Sequence, residues 1–418
     1  MTRSVLLVAY YAPPAGGIAS VRLTGFARHL PEFGWEPTVL APHDPAYFQD
    51  ESLHVPKVVR SRSLELSRAG KRMLRTGGSD TRPADVGAVR RATRAVARRA
   101  LYFPDAQIGW LPFGLYAGRR ALRRRSFDAI VSTSSPITSH LIARRLRRPG
   151  NTPWVAEFRD PFSALLPTGS RQRSRAAGLE RELAAEASAV VMTSPSWAEH
   201  HAGEWSRHVD VVPNGHDPDA IAPEAALAPP GFVLAYLGSF YPEWQDLTAL
   251  WSAVREARET GGVVVDRIRF IGRLDGALRH EIAGFGLEHL VEETGFLAHA
   301  DALGQLSSSR ALVIAGPRDG RRILRGHVAA KVFEYLASER PIIYVGDLRS
   351  DLAAIIGEHP GCHLAAPGDV EAVAAALDRC GADPVRRDVA ALSRRSRAAQ
   401  LASILDGVCA DEGQARSA

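Results

Sequence analysis

Two charged residues three positions apart, Lys331 and Glu334, open a stretch with the apolar spacing of a helix. An ammonium there lies beside free backbone N–H groups and the positive end of the helix dipole, a setting that favours an anion. A carboxylate one turn on can accept hydrogen bonds from both hydroxyls of a ribose. Together the pair suits the diphosphate and pentose of a sugar nucleotide. The same spacing also describes an exposed i, i+3 ion pair worth at most about 0.5 kcal/mol. A second carboxylate, Asp160, follows an apolar run between Arg159 and Pro161, where it could reach an acceptor hydroxyl or be held in a buried pair with Arg159. His140 is a candidate base, or a partly buried histidine of the core.

The elements that must position these groups follow from periodicity. Over 326–340, Ala329, Val332, Phe333, Leu336 and Ala337 fall on one helical arc, and His327, Lys331, Glu334 and Tyr335 on the opposite one. The run 341–345 then reads as a buried strand. At the front, 4–10 is a strand, 11–17 (YAPPAGG) a loop, and the next helix places Val21, Leu23, Phe26, Ala27 and Leu30 at core spacing. Gly16 and Gly17 would let backbone N–H groups approach a phosphate or sugar, or simply make a tight turn; Arg22 could add charge there. Further strands are expected at 35–41, 127–133, within 154–162 ending just before Asp160, 189–193, 209–212, 232–237, 268–271, 290–293 and 311–314, with helices at 195–205 and 370–377. Residues 42–83 read poorly; their His43-Asp44 pair is a turn or an acceptor contact, and 84–100 reads as a basic helix. This alternation, without tandem repeats, implies α/β architecture with two doubly wound domains.

Composition narrows the function classes. The chain has 418 residues, enough for two domains, and a net charge of +6. Between Lys57 and Arg148 there are 22 Lys or Arg against five acids, which points to an anionic membrane face, an anionic substrate or a solvated helical face. No aromatic interleaving or helix-turn-helix pattern accompanies it, so nucleic acid is not the expected partner. Cys362, Cys380 and Cys409 lack CxxC spacing and fit a reducing cytoplasm without zinc or disulfides. The apolar start is short, lacks a cleavage site and ends at Pro13-Pro14, so it reads as a strand; no run of eighteen apolar residues spans a bilayer.

The segment Lys331-Val332-Phe333-Glu334-Tyr335-Leu336-Ala337-Ser338-Glu339-Arg340-Pro341-Ile342 resembles, over twelve positions in register, the nucleotide-sugar-binding helix of GT-B glycosyltransferases, especially the retaining family 4 enzymes. YAPPAGGIASVR resembles their glycine loop, and WVAEFRDPF their D-F-R-D-P segment, with Glu157 in place of aspartate. VPNGHDPDAIAP resembles the segment that opens their second domain. Asp217 and Asp219 spell a DxD, but the prolines and hinge setting argue against a metal there. Two departures stand out. Gly238-Ser239-Phe240-Tyr241 replaces the family's arginine- and lysine-bearing turn, leaving Ser239, Lys331, Arg273, Arg321, Arg322 or Arg325 to meet the diphosphate. Gly326 stands where a second glutamate is usual, with Asp319 the nearest carboxylate.

The resemblance implies a GT-B fold of two facing Rossmann-like domains. The expected division is 1–213 on the acceptor side, 214–383 for the nucleotide sugar, and 384–418 as a helix returning to the first domain plus a tail. It implies transfer of a sugar from a nucleotide-sugar co-substrate to an acceptor hydroxyl on a glycan, lipid-linked sugar or small molecule, with retention, with no metal or other cofactor. The expected site is Asp160 and His140 for chemistry, and Gly16, Gly17, Ser239, Arg273, Arg325, Lys331 and Glu334 for the donor. A cytoplasmic protein with peripheral membrane contact is the matching location. The competing readings are a GT-B sugar-nucleotide epimerase or phosphorylase, and a non-catalytic basic membrane- or nucleic-acid-binding protein.

Overall fold

The computed structural model describes residues 2–43, 49–64, 103–147, 152–219, 231–318, 320–381 and 385–417, with side chains in the last segment to residue 411. Two parallel sheets carry it. The first contains β1 (Arg3–Val8), β2 (Trp35–Pro42), β3 (Val58–Ser61), β4 (Ala129–Ser134), β5 (Trp154–Phe158), β6 (Ala189–Met192) and β7 (Asp210–Val211), in the order β3-β2-β1-β4-β5-β6-β7. The second contains β8 (Val233–Leu237), β9 (Arg267–Ile271), β10 (Val291–Glu293), β11 (Ala311–Ala315), β12 (Ile342–Val345) and β13 (Cys362–Ala365), in the order β10-β9-β8-β11-β12-β13. The helices are α1 (Ile18–His29), α2 (Leu111–Arg124), α3 (Thr138–Leu146), α4 (Arg171–Glu186), α5 (Pro195–Trp205), α6 (Thr248–Thr260), α7 (Gly276–Gly284), α8 (His299–Ser307), α9 (Arg322–Arg325), α10 (Lys331–Ala337), α11 (Asp351–Gly357), α12 (Val370–Arg379) and α13 (Arg394–Ser417). The chain has the α/β GT-B architecture of two Rossmann-like lobes.

Continuous apolar runs make the central strands because helices cover both faces, so every position of β5, β6, β11 and β12 is buried. The two strands absent from the sequence reading, β3 and β13, lie at sheet edges, and only one of the four residues of each is fully buried. An edge strand needs no apolar run, and so leaves little pattern to read. The basic segment 84–100 and Asp44 lie outside the described residues. His43 donates its backbone N–H to Ser61 O at 2.5 Å.

The chain crosses between the lobes twice. After β7 it leaves the first lobe, and from residue 389 it returns to form α13, which begins at Arg394, later than the expected 384, and continues through the segment read as a tail. Ala398, Leu401 and Leu405 of α13 are wholly buried in one cluster with Val5, Leu7, Phe26 and Trp35 of the first lobe. Each such leucine contributes roughly 1.5–3 kcal/mol by leaving water. The crossings are tied together: His216 N donates to Leu392 O at 3.2 Å, and Arg394 N to His216 O at 2.7 Å. Gly215 permits this approach, since a Cβ there would lie 2.6 Å from Leu392 O. Among the described residues no helix is long and apolar enough to cross a membrane.

Candidate active site between the lobes

Open parallel sheets bind ligands beyond the carboxyl ends of their strands, where the strand order reverses. In the second lobe that place is the end of β8. Leu237 is followed by Gly238, whose φ of +83° suits glycine, and by the exposed Ser239. Lys331, the first residue of α10, donates from Nζ to Leu237 O at 2.6 Å and lies 3.6 Å from the centre of the Tyr236 ring. Burial drives its ammonium pKa well below the ordinary value. Among the described residues no carboxylate comes within ion-pair distance of it. An unpaired, desolvated cation beside a glycine turn is a site that an anion completes. Arg273, two residues past β9, is exposed and likewise has no ion-pair partner among the described residues; its neighbour Gly272 abuts Gly238. Lys331, Ser239 and Arg273 therefore belong to one end of the sheet. Arg325 differs from expectation: its Nε is 2.8 Å from Asp347 Oδ2, so its charge is already balanced inside the fold.

The helix that carries Lys331 is shorter and more enclosed than its pattern predicts. It starts at Lys331, not at Gly326, and its supposed polar face is largely interior. Tyr335 is fully buried, its Oη accepting from Leu237 N at 2.7 Å and donating to Val313 O at 3.2 Å. Glu334 is only 2% exposed. Its Oε1 accepts from Arg394 Nη2 at the start of the returning helix, and His299 Nε2 stands 3.8 Å from the same oxygen. Glu334 Oε2 is buried with no hydrogen-bond partner. Neither Arg394 nor His299 was singled out from sequence, and Arg394 lies 60 residues from the glutamate it holds. No local spacing rule reaches that far.

In the first lobe, β1 leads to Gly16 and Gly17, and Gly17, with φ of +91° and open space where a Cβ would be, precedes α1. The first amides of α1 are thus uncapped by any side chain. Arg22 does not face this loop. It is buried, with Nε and Nη2 on Glu157 Oε1 at 3.1 and 2.6 Å and the rest of its fork on Val212 O, Pro213 O and Asn214 Oδ1. It fastens α1 to the outgoing crossing. Asp160 is half-buried just past β5 and has no ion-pair partner among the described residues. Arg159 does not pair with it but donates to Ser134 O at 2.7 Å and Ser135 O at 2.9 Å.

His140, expected as a catalytic candidate, is instead a core residue. It is fully buried against Phe158 and Trp154, with Nδ1 2.7 Å from Ser132 Oγ. Burial, reinforced by Arg159, holds its imidazole down at about 3. A base needs contact with the proton it removes, and His140 has no surface with which to make one.

One histidine outside the expected set joins the lobes. His327 is lowered in pKa by burial and by Lys331, while Asp160 across the junction opposes the shift. Its ring lies 4.6 Å from Trp244 and 6.2 Å from Trp197, a first-lobe residue whose Nε1 donates to Ile323 O at 2.6 Å. The same tryptophan explains Gly326: a Cβ there would collide with the Trp197 indole. Asp319 lies outside the described residues. Asp217 and Asp219 both engage Arg28, at 3.2 and 2.6 Å. Among the described residues the grouping close enough to hold a metal ion is His200, His201 and Glu204 on α5, with His201 packed against Trp205.

Residues 16–215 match the family described as "Glycosyl transferase 4-like domain". No curated protein sequence matches significantly. Among solved structures the chain is similar to sucrose-phosphate synthase from Thermosynechococcus elongatus, at 16% identity and TM-score 0.61 over 99% of this chain and 98% of that one. It is also similar to the lipopolysaccharide outer core galactosyltransferase WaaB (14%, TM-score 0.56, 96% and 99% covered). A third likeness is S. aureus TarM in complex with fondaparinux, α-GlcNAc-glycerol and UDP (8%, TM-score 0.56, 99% of each chain). The chain thus has the GT-B fold, and its first lobe matches a glycosyl transferase 4-like domain.

Proposed function

We propose that the chain moves a sugar from a nucleotide-sugar donor, held by the second lobe, to a hydroxyl of an acceptor presented by the first. The observation that carries this reading is Lys331, an enclosed ammonium at the end of β8 without a counter-ion among the described residues. Leaving of the diphosphate develops negative charge, and preorganised donors stabilise such charge best where water is excluded. Lys331 and Arg273 would supply the positive charge, and Ser239 and the uncapped amides after Gly17 the hydrogen bonds. Asp160, without an ion partner, would orient the acceptor hydroxyl. An attack from the face the diphosphate leaves would retain configuration and use no protein nucleophile. The binding of UDP by the similar TarM supports a nucleoside diphosphate as the leaving group.

A groove of about 990 Å³ on the first lobe, bordered by Lys57, Arg60, Arg62, Tyr116, Arg120 and Arg124, supports an anionic acceptor or contact with an anionic membrane face. Three free cysteines fit a cytoplasmic setting. Incubating the protein with UDP-, GDP- and ADP-sugars should release a nucleoside diphosphate from at least one, slowly without acceptor. Absence of both turnover and binding with all three classes of donor would overturn the reading.

A further inference from the structure

The C-terminal half of α5 gathers three side chains of the kind that ligate metals. His200, His201 and Glu204 each bring one ligand atom, and these atoms lie within 4.8 Å of one another. His200 and Glu204 are four residues apart and so stand one above the other, with His200 Nε2 3.6 Å from Glu204 Oε1. That is near the roughly 3.3 Å at which two donors share a tetrahedral zinc-type ion. His201 is wholly buried, and its Nδ1 lies 2.8 Å from Trp197 O. A carbonyl only accepts, so in the neutral ring Nδ1 carries the proton and Nε2 the lone pair. Nε2 is itself buried without a hydrogen-bond partner. An acceptor left over in this way is costly, and native folds keep few of them outside functional sites. Metal-ligating histidines share the arrangement: one nitrogen on a carbonyl that fixes tautomer and ring orientation, the other left for the ion.

The solvent side of the cluster belongs to the other two residues. The side chains of His200 and Glu204 keep 29% and 51% of their surface, and the His200 ring stands at 88° to that of His201 with centroids 4.9 Å apart. Both can turn toward an incoming ion without moving the core, while His201 stays fixed by Trp197 O and by the Trp205 ring at 4.6 Å. No lysine or arginine lies within ion-pair distance of Glu204 among the described residues, so its charge is available to a cation. We propose that His200, His201 and Glu204 bind a divalent ion of the zinc class, with water in the fourth position. Two imidazoles and one carboxylate suit Zn²⁺ over Mg²⁺ or Ca²⁺, which take oxygen ligands. The ion fixes the end of a helix whose first turn meets the second lobe, where Ser196 N donates to Asp351 Oδ2 at 2.9 Å and Trp197 Nε1 to Ile323 O at 2.6 Å. None of the three ligands belongs to the donor or acceptor set described above, so the ion binds whether or not a sugar nucleotide does.

Metal titration of the untagged full chain, first stripped with EDTA, tests the site. Zn²⁺ should bind with a Kd of about 1 µM or tighter in competition with a chromophoric chelator, and Co²⁺ should give visible d–d bands that Zn²⁺ abolishes. Zn²⁺ at a free concentration about a hundred times Kd should raise Tm by about 5 °C. His201→Phe should weaken binding at least about 100-fold. The double variant His200→Gln/Glu204→Gln changes only the two side chains that reach solvent, keeps the fold, and should weaken binding by about the same factor. Absence of Zn²⁺ binding tighter than about 100 µM in wild type would overturn the site. So would undiminished affinity in the double variant, which would put the ion elsewhere, or in folded His201→Phe, which would leave only an exposed surface pair.

Discussion

Two buried glutamate–arginine pairs border the crossings between the lobes, and they are completed differently. Glu157 and Glu334 are equally enclosed, at 2% exposure each. Around the first, Arg22 uses its whole fork, reaching Glu157, two carbonyls and Asn214. Around the second, Arg394 takes one carboxylate oxygen and leaves the other without a partner. The Arg22 pair, saturated on its arginine side, is architecture, because breaking it strands a buried charge. The Arg394 pair leaves a buried carboxylate oxygen whose hydrogen-bonding capacity the fold itself does not use. Burial alone therefore does not separate structural from ligand-binding acids; how fully the partner arginine is engaged and whether a buried acceptor is left over do.

That contrast can be broken from several sides. The largest effect belongs to the saturated pair: Arg22→Gln should lower unfolding free energy by about 4 kcal/mol in urea titration, with nucleotide affinity changed less than about threefold. Little loss of stability together with a strong loss of nucleotide binding in Arg22→Gln would reverse the roles assigned here. Next comes Glu180, a buried glutamate with no cation within ion-pair distance among the described residues, held by Ser163 and pushed up to about 7 by burial. In the folded protein it keeps its proton above pH 4.5, where the unfolded chain has lost it. Its stabilising contribution is complete below that pH and is lost as pH rises through about 7, by about 3 kcal/mol. Glu180→Gln should flatten this slope in Tm-against-pH curves; an unchanged slope would locate the proton elsewhere.

Lys331→Met should reduce turnover about 100-fold while leaving Tm equal or higher, since it deletes an unpaired desolvated charge. The wild-type ammonium, with its pKa lowered on folding, also makes stability rise with pH toward the ordinary lysine value of 10.5, and the variant should lose that rise. Glu334→Gln should weaken nucleoside diphosphate binding about tenfold with a smaller stability loss than Arg22→Gln, measured side by side. The smallest change is expected at the exposed Ser239, where alanine should alter donor KM by less than about threefold.

How much of this was legible in the sequence depends on whether the deciding interaction is local. The buried strands announced themselves, since a parallel sheet covered on both faces needs unbroken apolar runs. The position of Lys331 near the start of a helix and ahead of a strand was equally readable. The orientation of its neighbours was not. Amphipathic reasoning separates a core face from a polar one, but α10 has only seven residues and sits between a sheet and the lobe junction, so Tyr335 and Glu334 are enclosed by protein on the face read as polar. His140 shows the opposite failure, a polar type on a core face whose ring pairs with Ser132 and packs on Phe158. Arg22 followed the glycine loop closely enough to suggest phosphate, yet its partners lie more than a hundred residues away. Edge strands β3 and β13 left no run to detect.

The paired crossings have a mechanical meaning. Arg394 is pinned by its amide to His216 on the outgoing segment and grips Glu334 with its guanidinium. The pivot and the acid share one part, so any swing of the lobes pulls directly on that carboxylate, and whatever fills its free oxygen sets the angle at which the lobes come to rest.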